Sequence, residues 1–239
     1  MQGWRKSNED AHITAIDFVP GHSLFAVFDG HGGSEVAKYC DRHFIKILQA
    51  DENFGKQNYE EALKQTFVQI DKQLISPAGK KALEKIGKEE AQPGGFQGQD
   101  YAYQAGCTAN VVLVTATHVY CANAGDSRAV ASQKGQAIEL SEDHKPDLPT
   151  ERKRVVAAGH IVEDGRVDGI IAISRAIGDW EYKSTNLAAE KMAVSAFPEV
   201  RKFEISKDLD FVICACDGIW DCMTSQAAVD FVYQAKQKI

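Results

Sequence analysis

Two apolar strands that each stop on an Asp-Gly pair constrain this chain more than any other feature. FAVFDGHGG runs from Phe25 to Gly33 and FVICACDGIWD from Phe211 to Asp221. Side chains alternate faces along a strand, so an unbroken apolar run predicts a strand covered on both sides. Asp29 and Asp217 must then leave their sheets at the strand end and not from an exposed face. VYCANAGDSR adds a third such end, where Asp126 follows a strand and a glycine, and Glu9-Asp10 in GWRKSNED stand just before a strand. A single Asp-Gly pair most often means a turn. Two matched pairs, joined by Asp126 and Glu9-Asp10, predict a metal cluster.

Ionised carboxylates gathered away from water repel one another and cost several kcal/mol each unless compensated. They either share protons or take cations between them. The set is read as all oxygen, with no Cys or His at ligand spacing, which predicts the hard cations Mg²⁺ or Mn²⁺ over zinc. Gly30 leaves its carbonyl uncovered as a further oxygen ligand, and Gly32-Gly33 let the chain turn into a helix near Ser34. His31 stands at the rim, where it could supply a proton or simply bond backbone. Arg5 could hold an anion by a bidentate fork or pair with Glu9 and Asp10.

Strand-length runs recur at HITAIDFV, SLFAVFD, ANVVLVTA, HVYCANAG, RAVASQ and DFVICACD. Helical patterns fall at SEVAKYCDRHFIKILQA, YEEALKQTFVQIDKQLI, TERKRVVAAG and TSQAAVDFVYQAKQ. Short connections at Ala116 to His118 and Gln133 to Gln136 predict antiparallel hairpins. Helices arrive in blocks and not after every strand, so the order predicts an α+β fold of stacked sheets and outer helices. Residues 76–104, rich in Gly, Lys and Gln, read as a long surface connection. A net charge of -7 gives no electrostatic support to a nucleic-acid partner. No apolar run reaches the ~20 residues that cross a bilayer, and the start carries no signal-peptide core, which predicts an intracellular, cytoplasmic or nuclear, reducing setting without a membrane partner. The six cysteines show no CxxC pair and read as buried free thiols.

The motifs GWRKSNEDAH, FAVFDGHGG, GCTANVVLV, ANAGDSRAV, LSEDHKPDLPTERKRVVAAGHIV, RVDGIIAISRAIGDWEYK, SAFPEVRKFEI and FVICACDGIWD resemble, in order, those of the metal-dependent serine/threonine phosphatases of type 2C, the PPM family. The resemblance spans nearly the whole chain, apart from a variable surface insert at 76–104. It implies one domain over 1–239, a four-layer α-β-β-α sandwich with two central antiparallel sheets and the site at one end. It implies a carboxylate bridging two metals at Asp29, a backbone ligand at Gly30 and a direct ligand at Asp217. Asp126 is implied to help hold a third, weaker metal, with Glu9 and Asp10 as water-mediated partners. Arg5 is implied to clamp phosphate and His31 to act as general acid. The implied reaction is in-line attack by an acidified water on phosphoserine or phosphothreonine proteins, with Mg²⁺ or Mn²⁺ and no covalent phosphoenzyme. Residues 145–186 are implied to form the flap that shapes substrate access, and the chain is expected to be monomeric.

The resemblance fails in three places, one of them His160 in AAGH, where the family often has glycine. The family's further Asp, in an Asp-Asn pair, has no counterpart after Asp217, and the leading strand is missing before Met1. The expectation is a domain cut short, with a non-catalytic phosphatase-like binding module as the alternative. A glycosidase using Asp29 and Asp217 would leave Gly30, Asp126 and Glu9-Asp10 unexplained.

Overall fold

The computed structural model describes residue 2 and residues 4–5, 7–90 and 100–236. The chain opens with strands β1 (Ala11–Val19), β2 (His22–Phe28) and β3 (Gly30–His31). Helices α1 (Glu35–Ala50), α2 (Glu52–Gly55), α3 (Tyr59–Leu74), α4 (Pro77–Glu90) and α5 (Tyr101–Gln104) follow. Next come β4 (Gly106–Cys107), β5 (Ala109–Val114), β6 (His118–Ala124), β7 (Arg128–Gln133) and β8 (Gln136–Glu139). Helix α6 (Pro149–Ala157) leads into the short strands β9 (Val162–Glu163), β10 (Arg166–Val167) and β11 (Ile177–Gly178). A 3₁₀ turn at Trp180–Tyr182 precedes β12 (Glu199–Glu204), β13 (Leu209–Ala215), α7 (Asp217–Trp220) and α8 (Ser225–Lys236).

One sheet has the order β1-β2-β5-β6-β12 and a second β13-β7-β8, with antiparallel pairing throughout. The β7–β8 hairpin turns through Lys134 and Gly135, both at positive φ (50° and 76°), the backbone twist that two-residue hairpins favour. Strand alternation builds the layers. Leu24, Ala26 and Phe28 of β2, with Val111 and Leu113 of β5, face the helices. Phe25 and Val112 point the other way, into the space between the sheets, where Ala129, Ala131, Val212 and Cys214 meet them. Val130 faces the outer side of the second sheet, against Ala228 and Val229 of α8.

Helix α1 buries Val36, Cys40, Phe44, Ile47 and Leu48, spaced three, four or one apart along one face. The Phe44 ring lies 6.0 Å from Phe28 and meets Phe67 of α3 edge-on at 5.5 Å. The result is an α+β sandwich of two antiparallel sheets flanked by helices, as expected.

The sequence reading of 76–104 as a surface connection is corrected at both ends, for 101–104 form α5 with Ala102 in the core. Residues 77–90 form α4, which seats Leu83 and Ile86 in the core beside α1 and α3. Its apolar residues are so few among the lysines that composition hides a one-sided helix. Residues 91–99 lie outside the described residues. Among the described residues no helix is long and apolar enough to cross a membrane. The six cysteines are unpaired; Cys40, Cys107 and Cys121 are buried as expected, whereas Cys222 is exposed.

Candidate metal centre

Register explains how the carboxylates meet. Ala11 of β1 pairs with Phe28 of β2, so Asp10 and Asp29 leave adjacent strands side by side. The backbone of Asp29 is fixed by Thr108, whose N–H donates to the Asp29 carbonyl at 2.9 Å and whose hydroxyl lies 3.3 Å from the Asp29 amide. That hydroxyl also meets Ser127 at 2.7 Å, which ties β2 to the passage between β6 and β7. Asp126 sits on that passage, 5 % exposed, after Gly125 at φ 119°. A Cβ at Gly125 would overlap Thr108, so the glycine permits the close crossing. Asp217 opens α7 directly behind β13 of the second sheet.

The electrostatics record the crowding. Burial first, then repulsion from Asp10, Asp217 and Asp126, pushes the Asp29 carboxyl up from 3.8 to about 7. Asp217 is raised by burial and by Asp126 and Asp221, with Lys145 opposing. The Lys145 ammonium bonds the Asp126 carboxylate. That pairing leaves Asp10, Asp29 and Asp217 crowded, and divalent cations fit the unanswered charge.

An oxygen each from Asp10 and Asp29 and the sulfur of Cys216 lie within 4.8 Å of one another. The all-oxygen expectation is therefore corrected: a thiol borders the set, 4.0 Å from Asp10 Oδ2. Burial, with the charges of Asp10, Asp29 and Asp217, raises that thiol and keeps it protonated. The charged donors remain carboxylates, which suits Mg²⁺ or Mn²⁺. Cys216 escaped the sequence reading because its neighbour in the cluster lies 206 residues away.

His31 stands on β3, which pairs with β4 through Gly30↔Cys107 and His31↔Gly106. Its Nε2 lies 2.9 Å from both oxygens of Asp179. Burial would lower the imidazole, but Asp179 and then Asp29 and Asp126 raise it overall. Asp179 is 3 % exposed and holds φ 51°, and its carboxylate fills the space that a Cβ on Gly106 would occupy. At Gly30 a Cβ would overlap the Glu9 carbonyl oxygen. The backbone of Glu9 is thus packed on Gly30, whereas its carboxylate accepts a 3.4 Å bond from the Ser7 hydroxyl. Arg5 is exposed, and its backbone exchanges bonds with Gln2.

The structure therefore gathers Asp10, Asp29, Asp126 and Asp217, sets His31 beside them and leaves the Glu9 carboxylate and Arg5 outside that cluster. Lys145 and Asp179 are site residues that sequence reasoning missed. Asp179 follows a glycine in SRAIGDWEY, the same Gly-Asp signal that marked Asp126, but no solid apolar strand precedes it.

The sequence model described as "Protein phosphatase 2C" matches residues 1–238. The chain is 44% identical over 233 residues to "Probable protein phosphatase 2C 6" of Paramecium tetraurelia, covering 97% of this chain and 76% of that protein. It is 45% identical over 240 residues to "Protein phosphatase 2C homolog 2" of Schizosaccharomyces pombe, covering 97% of this chain and 60% of that one. The fold matches the crystal structure of serine-threonine phosphatase 2C from Toxoplasma gondii with a TM-score of 0.78 at 21% identity, over 98% of this chain and 81% of that chain. With a carboxylate centre at the meeting of two antiparallel sheets and a family match from end to end, the chain belongs to the protein phosphatase 2C family of metal-dependent hydrolases.

Proposed function

We propose that the chain hydrolyses phosphoserine and phosphothreonine in protein substrates at a Mg²⁺ or Mn²⁺ centre held by Asp10, Asp29, Asp217 and the Gly30 carbonyl. Asp126 and the more distant Glu9 extend the donor set. The observation that carries this reading is the convergence of Asp10, Asp29, Asp126 and Asp217 from both sheets, with Asp29 raised to about 7 by burial and by the other three. When bound, divalent cations lower the pKa of water toward neutrality and neutralise phosphate charge.

The chain's own residues supply the rest. Arg5, exposed and four residues before Glu9 in the chain, can take two phosphate oxygens by its planar fork. Asp179 holds the His31 Nε2–H, which leaves Nδ1 as the atom that hands a proton to the departing Ser or Thr oxygen. The carboxylate of Asp179 also favours the charged imidazolium from which that proton comes. Six unpaired cysteines suit a reducing, intracellular setting.

The test is hydrolysis of a phosphothreonine peptide across a Mn²⁺ and Mg²⁺ titration, with Asp29→Asn as the blank. Turnover should require the metal and fall about 100-fold or more in the variant. Turnover that survives chelation, or metal binding without turnover, would overturn the reading.

A further inference from the structure

Asp71 lies on α3, 3 % exposed, in the helical layer and outside the carboxylate cluster. Its side chain accepts from the Gly178 amide at 2.8 Å, and its backbone carbonyl accepts from the Trp180 indole N–H at 3.1 Å. Both neighbours of Asp179 are thus gripped by one residue. Lys183 completes the arrangement: its ammonium, with a side chain 0% exposed, bonds Asp71 Oδ1 at 2.7 Å and the Ala176 carbonyl at 2.9 Å.

A buried ion pair is weak evidence for stability, because apolar residues of similar volume often serve as well. Its effect here is directional. It holds Ala176 and Gly178 while the Asp71 backbone carbonyl holds Trp180, so a five-residue arch, 176–180, is fixed around Asp179, which lies in the left-handed region at φ 51°. Gly178, at φ 88°, lies so close to the Ala105 carbonyl that a Cβ would overlap it, and the Asp179 amide donates to that same carbonyl at 3.0 Å. The arch is therefore pinned from α3 on one side and from the start of β4 on the other. Asp179 then has one direction in which to point, toward His31 Nε2.

We infer that Asp71 and Lys183 form a clamp that positions the proton donor, acting on His31 through Asp179. The inference rests on the reading of His31 as the group that protonates the leaving oxygen. A proton donor matters to a poor leaving group, an alkoxide of Ser or Thr, and little to a good one such as p-nitrophenolate. A clamp that aims the donor shares that signature, whereas a brace that merely holds the fold together does not.

The test compares the parent, His31→Ala and the paired variant Asp71→Leu/Lys183→Met, all with Mn²⁺, on a phosphothreonine peptide and on p-nitrophenyl phosphate. The paired variant removes both buried charges together, which avoids stranding either one. Its peptide kcat should drop about tenfold or more with KM held, while p-nitrophenyl phosphate turnover stays within about threefold, a fraction of the 10²–10⁴ that a general acid supplies. His31→Ala should show the same split, and larger. If His31→Ala shows the split and the paired variant loses both substrates equally, or neither, the clamp is overturned. If His31→Ala itself shows no split, the reading of His31 falls and the clamp with it. Should the paired variant not fold, Trp180→Phe, which deletes the indole donor to Asp71 and keeps a ring, must show a smaller split of the same sign; equal or absent losses there overturn the clamp.

Discussion

Asp29 carries two burdens that pull in opposite directions. Its carboxyl is pushed up to about 7 by burial and by three like charges, so the ionised form that the proposed metal centre needs destabilises the metal-free protein. Asn at this position removes the charge and keeps the shape. In chelator at pH 8, Asp29→Asn is expected to unfold at a higher temperature than the parent, by up to about 4 kcal/mol as bounded by the shift from 3.8 to about 7. Addition of Mn²⁺ should raise the parent's midpoint far more than the variant's; a variant that melts lower in chelator would sink the argument. Asp29, Asp126 and Asp217 were legible because a carboxylate at the end of a solid apolar strand leaves the sheet where its charge must be compensated. Lys145 and Asp179 were not, because what matters in each is a partner brought in by tertiary contact. Asp179 meets His31 across 148 residues, and no local pattern announces that.

Among the elements, α6 shows how a segment with little apolar surface is held. Glu151, 2 % exposed, takes Arg175 by two bonds, at 2.7 and 3.0 Å, and accepts from Arg154 and from the Ser174 hydroxyl at 2.7 Å each. Arg154 goes on to the carbonyls of Met192 and Ser174, so the helix is fastened to two later stretches of chain. Burial would raise the Glu151 carboxyl, but Arg175 and Arg154 outweigh it and hold it down at about 2. A carboxyl lowered from 4.5 to about 2 contributes stability that is complete above pH 4.5 and fades as the pH falls toward 2. Glu151→Gln is expected to lose about 3 kcal/mol in urea unfolding at pH 7. The gap to the parent should narrow below pH 4.5; a gap that is constant with pH would deny the ion pairs their role. The helix itself was legible as the stretch TERKRVVAAG, which opens on a Thr, but nothing local showed that Glu151 would be buried among arginines. Helix α4 was not legible, because Leu83 and Ile86 stand among lysines and glycines that read as loop.

For the whole molecule, the centre lies where the two sheets come together. Asp10 and Asp29 border the first sheet, Asp217 follows the last strand of the second and Asp126 sits on the crossing between them. Cations bound there, as proposed, would join the sheets, and their binding would then add to folding stability. The thermal midpoint should climb with the logarithm of Mn²⁺ concentration, by about 2.7 kcal/mol of added stability at one hundred times the dissociation constant. Amide exchange near Phe28 and Ala215 should slow together; protection confined to one strand would contradict a centre shared by both sheets. The sandwich was legible as antiparallel sheets with outer helices from its short hairpin connections and its helices in blocks, and strands apolar on both sides, such as β2, β5 and β6, are divided between two cores. The sequence separation of the parts also sets an order in time. Cys216 and Asp10 stand 206 residues apart, and the His31–Asp179 contact joins partners 148 positions apart. Long-range closures of that kind are reached late and slowly. During synthesis, a chain that has emerged past Asp29, Asp126 and Asp179 still lacks Asp217 and so has no complete centre. Until β13 docks and brings Asp217, the emerging protein can acquire a core without the carboxylate centre on which the proposed hydrolysis depends.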